Sequence, residues 1–340
     1  MLAFIAIEYL MARAVEQQKT DNLIDWEETP ISGPNLAFHA GCVIGNNFYI
    51  HGGAETKDGK TPSNKLYLLS SSGGSWTEQS HPGSPSLSHH TAVALSDRYI
   101  ILIGGWNGKA RSSKVYAFDT EKRLWTEPTV AGFPEDGGLS SHTATPLSSG
   151  EILILGREGS LRMQRRHGSG YLLSGSVESG KFTYREYTQE TASRSGHTSN
   201  IIGNVLYVVG GRDNNLVEMH QGFKSPKSPL PVTNPITTAV EKLSPLSKTP
   251  SGRKNHITIE SSGAIFIHGG ETFDGRSREP VGEMFIFSRK PSPTFYRVGV
   301  SEVKRAGHVC GVVEDKIILH GGFGGKNHVY GDTFYLKFKV

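Results

Sequence analysis

"YIILIGGWNG", Tyr99 to Gly108, decides how this chain is to be read. A short apolar run rich in isoleucine ends on two glycines, and an Asn-Gly pair follows at once. Continuous apolar runs of this length suit strands buried on both faces. Asn-Gly is a strong hairpin signal, because both central positions of a tight turn need positive φ. The stretch therefore reads as strand, turn, strand.

The same arrangement recurs along the chain. Diglycines stand at Gly52–Gly53, Gly104–Gly105, Gly210–Gly211, Gly269–Gly270 and Gly321–Gly322. The first and last gaps are 52 residues each, and the gap from Gly104 to Gly210 is 106, two periods. A unit is expected near residue 156, where "EILILGREG" keeps the strand and Leu155 is read as the replacement of the first glycine. Six units result. Each has an apolar run before its glycine site, such as "NFYIHGG", "VLYVVGG", "AIFIHGG" and "KIILHGG". Each also has a histidine 13 or 14 residues before that site: His39, His90, His142, His197, His256 and His308. A third strand carries tyrosine or phenylalanine ("NKLYLLS", "SKVYAFD", "GEMFIFS", "GDTFYLKF"). A fourth often carries tryptophan (Trp76, Trp125), with Phe182 to Tyr184 and Phe295 to Tyr296 as substitutes.

The ends of the chain complement each other. The last unit stops at "GDTFYLKFKV", before a fourth strand, while "LIDWEETP" places Trp26 in a fourth-strand context with no first three strands ahead of it. Trp26 lies 50 residues before Trp76, which lies 49 before Trp125. The segment around Trp26 is expected to complete the last unit and so remove an exposed edge.

Units of about 50 residues, with four short strands and a diglycine ending the second, resemble the kelch repeat. The resemblance covers the chain from about residue 22 and implies an all-β, six-bladed kelch β-propeller with four antiparallel strands per blade. Residues 1–21 are then an N-terminal extension and 22–340 the propeller. The apolar start, "MLAFIAIEYLMARAV", has no basic region before it and is interrupted by Glu8, which argues against a signal peptide. The extension is too short for the BTB-type domain of larger kelch adaptors.

Composition excludes several classes. No apolar run reaches 18 residues, so no spanning helix is expected. Two cysteines, Cys42 and Cys310, form neither a disulfide framework nor a metal motif, and an intracellular, cytoplasmic or nuclear, compartment is expected. A net charge of +4 over 340 residues argues against a nucleic-acid binder. The six histidines are spread one per unit, whereas ligands must converge within about 2.1 Å of one ion. They are read as structural, bonding to neighbouring backbone. Copper-oxidase kelch propellers need converging tyrosine, histidine and a cross-linked cysteine, and no such motif surrounds Cys42 or Cys310. No P-loop, nucleophile elbow or zinc helix is present. The chain is expected to be a monomeric propeller without cofactor, metal or enzymatic activity.

Binding remains. In a meander the loop after the second strand shares a face with the loop entering the next blade. The first kind holds Trp106, Arg157, Arg162, Arg165, Arg166, His167, Arg212 and Phe323. The second kind ends in "ASRSGH", "SGRKNH" and "VKRAGH", with Arg194, Arg253 and Arg305 three residues before the histidine. By the kelch resemblance this face grips partner segments, and these arginines are candidate anchors for an acidic or phosphorylated segment. Their alternative is an internal pair with an aspartate or a carbonyl. Weak single-stranded nucleic-acid binding, with Tyr171 or Trp106 stacking on bases, is the competing reading. In the fourth unit, residues 222–250 are rich in Ser, Pro, Thr and Lys and read as a flexible insertion. Ser225, Ser228, Ser244 and Thr249 precede prolines there and are candidate phosphorylation sites.

Overall fold

The computed structural model describes residues 22–339 apart from 80, 136, 157–169, 188–192, 212–215, 227–234, 262, 275–278 and 290–291. Each apolar run becomes the second strand of its own antiparallel sheet: Asn47–His51, Tyr99–Ile103, Ile152–Leu155, Val205–Val209, Ala264–His268 and Lys316–His320. The innermost strands are Ala40–Ile44, Thr91–Leu95, Thr143–Pro146, Thr198–Ile202, Ile257–Ser261 and Val309–Val313. They contact one another in cyclic order, so the sheets close into a six-bladed propeller.

The apolar runs are continuous because both faces of each blade are covered. In blade 2, Ile100 and Leu102 pack toward blade 1 with Leu66 and Tyr49. Tyr99, Ile101 and Ile103 pack toward blade 3 with Ile152 and Ile154. Leu153 and Leu155 turn the other way, onto Leu206 and Val208 of blade 4. The period of two in each strand thus divides its side chains between neighbours, and each fully buried Ile or Leu contributes roughly 1.5–3 kcal/mol. Closure is as expected: Ile24–Ser32 pairs antiparallel with Asp332–Phe338, Trp26 lying opposite Leu336.

The glycine site is the seam between blades. The first glycine has positive φ and meets two groups of the following blade, the ring of its repeat histidine and the carbonyl three residues before that histidine. At Gly104 (φ +65) an added Cβ would lie 2.7 Å from Leu139 Cβ, 3.0 Å from His142 Cε1 and 3.1 Å from Leu139 O. The second glycine donates its N–H to that same carbonyl, as in Gly105 to Leu139 (2.7 Å) and Gly270 to Arg305 (2.8 Å). Gly156 (φ +66) faces Arg194 O and His197 Cε1 and so occupies the first-glycine position of blade 3. This corrects the sequence reading. The first glycine is kept, and the residue that departs is Arg157, at the second position.

The six repeat histidines are buried, and His142, His197 and His256 bond to the backbone of Ile103, Leu155 and Val209 on the preceding blade, as expected, as well as to side chains. Nε2 of His142, His197 and His256 lies 3.1, 3.1 and 3.3 Å from the hydroxyls of Thr91, Thr143 and Thr198 on the preceding blade. His90 and His308 instead meet His51 and His268 at 3.0 and 3.3 Å, and His39 packs edge-on to His320.

Three departures from the regular plan stand out. Blade 3 gains Thr129–Ala131, parallel to its outer strand Lys181–Glu186. Blade 4 has three strands among the described residues rather than the expected four. The insertion read as flexible contains a helix, Pro235–Lys242. Proline suits a helix start, and Ile236, Val240 and Leu243 at helical spacing form an apolar stripe. Ile236 is wholly buried among Trp26, Met284 and Ile286 between blades 5 and 6. Beyond the helix, Leu246 N–H bonds Phe295 O at 2.7 Å. Composition alone missed this because three apolar residues in register are enough to dock one short helix.

Two outcomes are expected. Gly104→Ala combines a strained φ with the Leu139 clash and should lower unfolding free energy by at least about 2 kcal/mol in urea titrations. Burial drives the histidines below their usual value, His142, His256, His51 and His268 to about 3 and His320 to about 4. They stay neutral when folded but take up protons near pH 6.5 when unfolded. Stability is therefore intact above about pH 6.5 and falls as the pH drops toward 4, by about 1.4 kcal/mol per pH unit for each histidine. His142→Gln should reduce that slope by about one proton.

Candidate partner-binding face

The two loop classes do share a face. Bridges join Ala37 to Ala54, Ser88 to Trp106 and Ala306 to Phe323, each tying a loop that enters a blade to the loop after that blade's second strand. At the centre of this face, the residue before each repeat histidine has positive φ: Phe38 (57°), His89 (56°), Ser141 (52°), Gly196 (67°), Asn255 (56°) and Gly307 (63°). Their backbones form a closed cycle. Phe38 N–H donates to Gly307 O (2.8 Å), His89 to Phe38 (2.9 Å), Ser141 to His89 (2.9 Å), Gly196 to Ser141 (2.8 Å), Asn255 to Gly196 (2.7 Å) and Gly307 to Asn255 (2.9 Å). The repeat histidine next in sequence is buried, while each ring residue is half-buried. The ring is uneven: Phe38 and His89 stack at 4.0 Å and 20°, while Gly196 and Gly307 carry no side chain.

The three candidate anchors are turned inward. Arg194, Arg253 and Arg305 are 6, 0 and 6 % exposed. Arg253 Nη1 donates to Gly269 O at 3.0 Å and Nη2 to Glu283 Oε2 at 2.9 Å. Arg194 donates to Gly210 O and pairs with Glu218. Arg305 pairs with Asp332 at 2.7 Å and lies 3.3 Å from the Tyr330 ring centre. The position holds Leu36, Leu87 and Leu139 in the first three blades, all buried. The arginines thus occupy a buried position and their heads pair with a carboxylate of their own blade, which is the internal-pair alternative rather than the free-anchor reading. Glu283 and Asp332 sit where Lys65 and Lys114 stand in blades 1 and 2, since each residue's carbonyl accepts from its blade's first glycine. The sequence carried no signal for these partners, which lie 24 to 30 residues downstream of their arginines.

Phe323 is also buried, beside Phe38, with the Lys57 ammonium 5.0 Å from its ring centre, so it floors the face rather than projecting from it. Trp106 is half-buried, and its indole N–H donates to Lys60 O across blades 1 and 2. Tyr171 is buried between blades 2 and 3, where no base could stack on it. Arg157, Arg162, Arg165, Arg166, His167, Arg212 and Ser228 lie outside the described residues, whereas Ser225, Ser244 and Thr249 are exposed. At the rim between blades 6 and 1, Asn35, Glu55, Tyr67, Lys326, His328 and Tyr330 line a cleft of about 950 Å³. Cys310 is half-buried in an innermost strand, and desolvation pushes its thiol up to about 12. Among the described residues no three metal-ligating groups converge, and no helix is long and apolar enough to cross a membrane.

A family model described as Attractin/LZTR1 beta-propeller matches residues 13–277. Kelch domain-containing protein 9 of Mus musculus is 32 % identical over 322 residues, 88 % of this chain and 91 % of that protein. Kelch domain-containing protein 3 of Homo sapiens is 24 % identical, over 88 % of this chain and 81 % of that protein. Among solved structures, one titled "Structure of YjhT" has a TM-score of 0.65 at 13 % identity, covering 92 % of this chain and 99 % of that one, and it supports the fold alone.

The buried pairs make a direct test. Glu283→Ala leaves Arg253 uncompensated and should cost about 3–5 kcal/mol in urea titrations. Arg253→Leu combined with Glu283→Lys reproduces the blade 1 arrangement and should recover most of that loss.

Proposed function

Because this chain belongs to the kelch-repeat β-propeller family, we propose that it is a non-enzymatic protein-interaction propeller, a scaffold or adaptor, that binds an acidic or phosphorylated segment of a partner on the face just described. The supporting observation is where the cations of that face stand. Arg194, Arg253 and Arg305 are consumed by Glu218, Glu283 and Asp332. Lys60 is paired with Asp58. In the sequence, the segment from Arg157 to Ser169, between the second and third strands of blade 3, adds four arginines against one glutamate. Each charge-assisted bond from such a guanidinium to a carboxylate or phosphate contributes about 1.5–3 kcal/mol net. Cys42 and Cys310 are not joined in a disulfide, which fits an intracellular setting.

The test compares partners recovered from native cells by wild type and by Arg162→Glu/Arg165→Glu/Arg166→Glu, with circular dichroism to confirm that both fold alike. The reversal of three charges should remove the acidic partner from the recovered set. An unchanged set sinks the assignment of the site to this loop.

A further inference from the structure

Among the described residues, the third strand of blade 4 is an open edge. Its third strand, Val217–Gln221, pairs on the inner side with Val205–Val209, and among the described residues nothing pairs with it on the outer side. In the other blades an outer strand covers this place: Thr77–Gln79, Leu124–Thr126, Lys181–Glu186, Thr294–Val300 and Ile24–Ser32. In blades 3 and 5 even the outer strand is covered, by Thr129–Ala131 and by the Pro245–Leu246 segment. An uncovered edge presents a row of N–H and C=O groups and acts as a template for another strand.

The surroundings specify what that strand carries. Beside the edge lies a cleft of about 360 Å³, lined by Val217, Met219, Leu246, Phe287, Pro293 and Phe295. Met219 is 48 % exposed, although its side chain is large and apolar. An incoming strand can lay every second side chain against this floor. Lys224 lies just past one end of the edge and Lys248 on the cleft wall, both exposed and neither in an ion pair among the described residues. Glu218, on the strand itself, is already engaged by Arg194 and His220. Among the described residues, the charge around the edge that no ion pair offsets is therefore positive.

We infer that the blade 4 edge binds, by strand addition, an extended partner segment with apolar residues at alternate positions and acidic residues between them. Main-chain hydrogen bonds supply affinity in such a mode, and the alternate side chains supply selectivity. The chain holds an example of this chemistry in cis. The strand that closes blade 6, Ile24–Ser32, buries Ile24 and Trp26 and carries Asp25, Glu27 and Glu28.

The probe follows from that example: a fluorescein-labelled peptide LIDWEETPIS, titrated into the full-length chain and read by anisotropy. Saturable binding is expected, weakened at least about tenfold by Met219→Asp and likewise by Lys224→Glu/Lys248→Glu, the second variant leaving the strand untouched. Hydrogen exchange of Val217–Gln221 should be faster in the free protein than that of Val115–Asp119, and should slow when the peptide binds. The inference is overturned by any of three results. They are no saturation below about 1 mM, binding that neither variant changes, or edge amides as protected in the free protein as those of Val115–Asp119.

Discussion

The closed cycle of six backbone hydrogen bonds from Phe38 to Gly307 is the constraint on which the rest of the propeller depends. Each member sits in the left-handed region, which costs a non-glycine residue about 1–3 kcal/mol. Phe38, His89, Ser141 and Asn255 accept that cost because their N–H and C=O groups are both used within the ring. The left-handed turn swings the chain from the surface loop down into the innermost strand. The next residue, the repeat histidine, is thereby buried against the first glycine of the preceding blade. Ring, histidine and glycine are one device repeated around the axis, and closure by Ile24–Ser32 is what makes every link meet a partner.

Within this regular frame the blades solve one position in two ways. Three residues before the histidine, blades 1 to 3 bury leucine and blades 4 to 6 bury arginine. The leucine solution needs only apolar neighbours. The arginine solution needs a carboxylate and a carbonyl in fixed places, supplied by the third strand and the glycine turn. A buried, paired guanidinium is weak evidence for added stability, because desolvation offsets much of the attraction. It is unavailable to a partner. The recognition role of this face therefore rests on side chains that project from the loops, and the arginines seen at a repeated position belong to the frame.

Blade 4 shows how a local change in sequence propagates. Its strand run "VLYVVGG" is as regular as any, yet among the described residues the next regular element after Gln221 is a helix, Pro235–Lys242, that docks between blades 5 and 6. Ile236 is wholly buried there. The result, among the described residues, is a blade whose third strand is its outer edge, where the other blades carry a fourth strand.

Much of this was legible in the sequence. The period, the diglycines, the six histidines and Trp26 determined blade number, strand order and the closure of the last blade, because each reflects a local backbone need or a regular burial pattern repeated many times. What tertiary structure decided depends on single long-range pairings that no period reports. Leu155 and Gly156 are told apart only by which of them meets His197. Arg253 is an internal pair rather than a surface anchor only because Glu283 lies 2.9 Å away. The hydrogen-bonded ring at the mouth links residues as unlike as Phe38, Ser141 and Gly307, since it uses backbone groups and imposes a φ rather than a side chain.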